Sequence, residues 1–163
     1  LPKEGVNVLV LEINYNYRFT KRAEVADRGG LSLADVRKLV DASRKAGVRL
    51  IPQINLLGHQ SWAKNTGALL RAHPEFDETP GKYPGNEGIY CRSYCPLHPQ
   101  VHDVVFDLID ELADACEADL NHRTEAGEPY FHDLRSRWSA ALRAAHQNIP
   151  RPPYKTETES KKQ

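Results

Sequence analysis

The sequence predicts an α/β fold built on parallel strands, and three observations carry that expectation. Residues 6–13, Val-Asn-Val-Leu-Val-Leu-Glu-Ile, are rich in the β-branched and aliphatic side chains that suit a strand. Residues 48–57 make a second apolar run through Val48, Leu50, Ile51, Ile54, Leu56 and Leu57, nearly continuous, as in a strand covered on both faces. Between the two runs apolar residues recur at helical spacing. Strand, helix and strand within about fifty residues make a βαβ unit, which forces parallel pairing and a right-handed crossover.

Each element has its own justification. Ser32 opens the helix, with Asp35 three residues on in a variant of the capping box. Leu33, Val36, Leu39, Val40 and Ala46 supply one apolar face, and Gly47 stops the helix. Residues 63–72 suggest a short helix weakened by Asn65, Thr66 and Gly67. A long loop then runs from His73 to Leu97, broken by Pro74, Pro80, Gly81, Pro84, Gly85, Gly88 and Pro96. Residues 98–116 give the clearest helix, with Val101, Val104, Val105, Leu108, Leu112 and Ala115 on one side. Asp103, Asp107, Asp110, Glu111 and Asp114 take much of the other. Neighbours in mid-helix point about 100° apart, so Asp110 and Glu111 read as a solvated face and not as paired catalytic carboxylates. Past Glu117 the composition changes: residues 119–149 are rich in His, Arg and Glu, with a modest amphipathic stretch at 138–145, and residues 150–163 offer almost nothing to bury and are expected to be disordered.

Composition excludes several function classes. The chain has 163 residues, 40% hydrophobic, with 22 basic and 22 acidic side chains. That balance suits one globular domain and gives no electrostatic case for nucleic acid or an anionic membrane. No apolar run approaches the roughly 18 residues of a membrane span, and no signal peptide is legible at the start. The chain contains no Met and opens on Leu1-Pro2-Lys3, which reads as an excised piece and leaves its compartment open. Cys91, Cys95 and Cys116 are too few, and odd in number, for a disulfide-stapled scaffold.

Chemistry is expected at the carboxyl ends of the strands, where parallel α/β folds bind ligands. Gln53, Asn55, His59, Gln60 and Trp62 lie along and just after the second strand's end, and Glu12 sits near the end of the first. A packing role for the same residues is the competing account. In the long loop, Tyr83, Tyr90, Tyr94 and Arg92 either pave a sugar-binding surface or pack the loop to the body. Cys91, Cys95, His98 and His102 have donor types that suit tetrahedral zinc. Their spacing matches no recognised zinc module, and Pro96 and Pro99 restrict convergence, so the expectation is an ordinary loop with no metal and no cofactor.

Three segments together resemble the family 20 glycoside hydrolases, the β-N-acetylhexosaminidases and their relatives. They are Gly5-Val-Asn-Val-Leu-Val-Leu-Glu12, Ala46-Gly-Val-Arg-Leu-Ile-Pro-Gln-Ile-Asn-Leu-Leu-Gly-His59 and Cys95-Pro-Leu-His-Pro99. The resemblance implies an incomplete (β/α)8 TIM-barrel fragment, two or three parallel strands with their helices, over residues 1–118. It implies an N-acetylhexosaminide as the carbohydrate substrate of the complete protein. It also implies substrate-binding roles for His59, Glu12, Tyr15, Tyr17, Asn55 and Trp62. In that family a fourth strand ends in His-x-Gly-x-Asp-Glu, whose Asp orients the substrate's nucleophilic acetamido group and whose Glu protonates the leaving oxygen, the substrate-assisted exception to the two-carboxylate scheme.

The chain departs from the pattern at that point. Asp119 to Glu128 holds no such motif, and the remaining pairs, Asp77-Glu78 and Asp110-Glu111, fall in a loop and a helix. No residue is therefore assigned a catalytic role, and residues 119–163 are expected to reflect truncation, splicing or a shifted frame. A barrel of this class needs about 250 residues, so an inactive, poorly stable fragment is expected. The competing readings are another TIM-barrel glycosidase or deacetylase, a non-catalytic carbohydrate- or protein-binding fragment, and a zinc-binding module.

Overall fold

The computed structural model describes residues 2–117; the segments 119–149 and 150–163 lie outside them. Strand β1 (Val8–Glu12) and strand β2 (Arg49–Gln53) pair in parallel, in register from Val8 opposite Arg49 to Glu12 opposite Gln53. Helix α1 (Leu33–Lys45) makes the crossover between them. The result is a mixed α/β arrangement with a small parallel sheet, as the βαβ reading requires. Pro52 lies inside β2 without breaking the pairing. Arg49 N donates to Asn7 O across the pair. Since successive amides alternate sides, the N–H that Pro52 lacks falls on the edge away from β1.

Helix α1 starts and stops where the sequence says it should. Ser32 Oγ accepts from Asp35 N at 3.2 Å while the Asp35 carboxylate accepts from Ser32 N at 3.1 Å and Ser32 Oγ at 2.6 Å. Gly47 carries φ +67°, the left-handed conformation that ends a helix at little cost for glycine. The apolar face is narrower than expected: Val36 and Val40 are buried, whereas Leu33 and Leu39 are exposed.

After β2 the chain forms a small hairpin, β3 (Ser61–Trp62) with β4 (Asn65–Thr66), and then α2 (Ala68–Ala72). The helix expected from residue 63 therefore begins only at Ala68, because Asn65 and Thr66 pair back on Ser61 and Trp62. Gly67 is forced by space: a Cβ there would sit 2.8 Å from Gln60 O.

Helix α3 (Val101–Ala115) presents the expected face. Val101, Val104, Val105, Leu108, Leu112 and Ala115 are all buried, each large aliphatic side chain stabilising by about 1.5–3 kcal/mol. Phe76 lies in the same core, stacked on His73 with centroids 4.7 Å apart and tilted against His98 at 4.7 Å. The acidic side of α3 is only in part the solvated face expected from its pattern: Asp103 and Asp114 are exposed, but Asp107 and Glu111 are engaged. Glu111 accepts from Thr20 N at 2.7 Å, Thr20 Oγ1 at 2.9 Å and Lys21 N at 2.9 Å, and Asp107 pairs with Arg22 at 2.7 Å. Glu111 thus satisfies two amides of the loop after β1 that no strand or helix serves, and Asp107 holds the same loop through the Arg22 side chain. Among the described residues, no helix is long and apolar enough to cross a membrane.

Replacing Ser32 by Ala removes the hydroxyl's bonds to Asp35 N and to the Asp35 carboxylate, leaving only the bond from the residue 32 amide, and should cost about 1 kcal/mol in chemical denaturation. Hydrogen bonds from the Ser32 hydroxyl and amide hold the Asp35 carboxyl below its ordinary value. The carboxylate's contribution is therefore complete above the unfolded aspartate value near pH 4 and lost as pH falls through the lower folded value. The gap between wild type and Ser32→Ala should narrow in melts below about pH 4.

Candidate functional site

Parallel pairing puts the carboxyl ends of β1 and β2 side by side, and the chains leaving them are tied together at once. Gln53 O accepts from Ile13 N at 2.9 Å and Asn14 N at 3.3 Å. Asn14 then turns through φ +50°, a left-handed conformation that asparagine tolerates better than most residues. Its side chain works in both directions. Nδ2 donates to Glu12 Oε1 at 2.6 Å, and Oδ1 accepts from Asn55 N at 2.8 Å. Asn55 Nδ2 donates to the same Glu12 oxygen at 3.0 Å. An exposed carboxylate is thus held at the strand ends by two amides, one from each strand's exit.

The turn that follows β2 is organised from inside by Gln60, which is fully buried. Its Nε2 donates to the carbonyls of Asn55 at 3.0 Å, Leu56 at 2.5 Å and Gly58 at 3.2 Å. Its Oε1 accepts from the Tyr15 hydroxyl at 3.0 Å, joining this turn to the loop after β1. Burial pushes the Tyr15 hydroxyl well above the ordinary tyrosine value, so it stays a donor throughout the physiological range. Between Gly58 and Gln60, His59 adopts φ +57° and stands exposed.

An aromatic shelf extends from His59. The Tyr90 ring meets His59 edge-on at 6.0 Å and Trp62 edge-on at 5.7 Å. Trp62 and Tyr90 are 64% and 70% exposed, unusually open for side chains of this size. Their backbones are nonetheless fastened together, because Gln60 N donates to Arg92 O at 2.9 Å and Arg92 N to Ser61 Oγ at 2.8 Å. Arg92 itself is buried, its guanidinium shared among the Asp77 carboxylate, Asn86 Oδ1 and Tyr83 O. This cation ties together a loop whose regular structure is two single-turn 3-10 segments, Pro74–Phe76 and Pro84–Asn86, and the Asp77–Tyr94 bridge.

The sequence candidates separate on these grounds. Glu12 and Asn55 meet, and His59 and Trp62 share the shelf with Tyr90. Tyr15 sits beside them with its hydroxyl already engaged. Tyr17 belongs to the core, 3% exposed, with its ring edge-on to Phe19 at 5.0 Å. The loop tyrosines divide as well, Tyr94 buried in the core and Tyr90 exposed. His98 packs on Phe76, and His102 Nε2 lies 2.6 Å from Pro96 O. Among the described residues no group of three or more His, Cys, Asp or Glu side chains is placed to hold a metal ion. Asn14, Gln60 as an internal brace, and the Tyr90 partnership were missed. Only Asn14, next to a strand end, left a local signal.

A concavity of about 420 Å³ between α1 and α3, lined in part by Arg18, Arg37 and Glu111, is the weaker candidate. Two of its charges are already engaged, Glu111 by Thr20 and Lys21 and Arg37 by Glu117.

Comparison with known proteins gives one kind of likeness. No family model matches the chain, and no curated protein matches it by sequence. Among solved structures, it is similar to the X-ray structure of Flavobacterium johnsoniae chitobiase (FjGH20), with a TM-score of 0.54 and 18% identity over 86% of this chain. The chain spans 24% of that protein's length. At that identity the likeness is one of fold.

Substituting Arg92→Ala would strand the Asp77 carboxylate, whose side chain is only 9% exposed. Breaking a buried pair in this way costs about 3–5 kcal/mol. Thermal unfolding should show a loss of that order, and native-state hydrogen exchange should show residues 73–97 opening before α3.

Proposed function

We propose that the strand ends and the turn at 54–62 form one wall of a carbohydrate site, in a (β/α)8-type domain related to the family 20 glycoside hydrolases. The carrying observation is the Glu12–Asn14–Asn55 cluster at the joined strand ends, with the exposed Trp62–Tyr90 shelf on the very next turn. A sugar has two kinds of surface. Its hydroxyls need a carboxylate or amide held in a fixed direction, and its ring C–H faces need an apolar plane; the wall offers both. Exposing a Trp and a Tyr on a braced scaffold is the pattern of a binding surface more than of a free loop.

The substrate class proposed is an N-acetylhexosaminide, in keeping with the segments ending at Glu12 and His59 and with the fold shared with the chitobiase. Glu12 and Asn55 would grip hydroxyls, and His59 and Trp62 would border the ring. The uncovered Val8, Val10, Leu33 and Leu39 are where further strands and helices of a barrel would pack. The 163 residues contain no Asp-Glu pair at a strand end among those described, so this chain is proposed to bind sugar without cleaving it.

Titrating the chain with N-acetylglucosamine by calorimetry should give weak binding, with Kd on the order of millimolar. Glu12→Gln should weaken it about tenfold, the loss expected for a hydrogen bond to a charged group. No heat at about 50 mM sugar would sink the binding reading. Release of chromophore from a chromogenic N-acetylglucosaminide above the buffer rate would overturn the proposed lack of hydrolysis.

A further inference from the structure

We propose that Gln60 is a positioning residue for this wall, acting with Tyr15 to fix the backbone on which Asn55 and His59 stand. The inference rests on the sugar-site reading for its binding consequence, but its geometry stands independently. Gln60 is 0% exposed, although most glutamines lie at the surface. Its carboxamide has two protons, and they are spread over three carbonyls, those of Asn55, Leu56 and Gly58, all on the turn after β2. No helix or strand serves those carbonyls. Without Gln60 these half-buried carbonyls would lose the partner that draws all three toward one point.

The residues so braced flank and contain the two side chains of interest. Asn55 reaches Glu12 from the first braced carbonyl's residue, and His59 follows the last one immediately. His59 at φ +57° is in the left-handed region, which is unfavourable for a residue with a side chain. A surrounding structure must hold it there, and Gln60 is held on both of its sides. Its carbonyl oxygen accepts from Gly67 N at 2.5 Å, its amide donates to Arg92 O at 2.9 Å, and its side chain accepts from Tyr15 at 3.0 Å. Tyr15 comes one residue after Asn14 in the loop that leaves β1. The Tyr15–Gln60 bond therefore sets the two strand exits relative to each other, as the Asn14–Asn55 bond also does.

The test uses two variants and two readouts on the chain as it stands. Tyr15→Phe keeps the ring and removes only the clamp. Gln60→Leu removes the whole brace. In Tyr15→Phe the His59 ring and Asn55 side-chain amide resonances should shift, with far-ultraviolet circular dichroism unchanged. Affinity for N-acetylglucosamine should fall about fivefold, the loss carried by one neutral hydrogen bond of ordinary strength. Gln60→Leu should perturb the same resonances more strongly. If it does not fold, Tyr15→Phe decides alone. A purely structural role predicts lowered thermal stability with both sets of resonances and the affinity unchanged in the folded protein, and that result would overturn the proposal. The resonance readout needs no ligand. A wild type that takes up no sugar would therefore remove the sugar-site reading while the resonance shifts still decide this one.

Discussion

Parallel pairing of β1 with β2 is the constraint from which the rest of the molecule follows. An antiparallel pair would send the two strand exits to opposite ends, and Glu12 would never meet Asn55. A parallel pair needs a crossover, here α1, and delivers both exits to the same edge. Once the exits are adjacent, their backbone groups have to be satisfied beyond the last ladder bond. Gln53 O, Asn14 and Asn55 do this within three residues of the sheet. The polar cluster that makes the best candidate site is, in its origin, a solution to the problem of ending a parallel sheet.

The connections beyond that edge are long and contain little regular structure, so buried polar side chains do the work of ladders. Gln60 binds one turn from inside with neutral hydrogen bonds, each worth about 1 kcal/mol net when made and more when left unmade. Arg92 binds the 73–97 loop with a buried charge, and there the sign of the effect depends on completeness. An ion pair removed from water gains little over an apolar core, but half of one is costly. Arg92 is therefore less a source of stability than a condition for the loop to hold one shape. That shape places Tyr90 against Trp62 and His59.

How much of this was legible in the sequence follows from how local each interaction is. The capping box at Ser32 and Asp35, the stop at Gly47 and the buried stripe of α3 depend on residues within one or two turns of helix, and the sequence carries all of them. The βαβ order is also local. The hairpin at 61–66 was not legible, because Ser61 and Trp62 are too short a run to alternate. Glu111 looked like one more charge on a solvated face, since nothing near it in sequence reveals that Thr20 and Lys21 need its oxygens. Leu33 and Leu39 mark the opposite error, an apolar pattern faithful to the helix whose side chains the fold leaves exposed.

The aromatic residues show why a site cannot be read from residue types alone. Tyr15, Tyr17, Tyr90 and Tyr94 all looked suitable for a sugar, and the fold gives them three different fates. Tyr17 and Tyr94 fill the core, Tyr15 spends its hydroxyl on Gln60, and only Tyr90 keeps its ring in solvent. What separates them is which side of a tie each falls on. Tyr17 bridges to Leu31 and Tyr94 to Asp77 through the backbone, which turns them toward the body. Tyr90 precedes the first tie of its segment, the Arg92 amide on Ser61, and so stays outside. The ties that bury two tyrosines and the one that holds the third beside Trp62 are separate hydrogen bonds, so the packed core and the exposed shelf are set by where along the chain each tie falls.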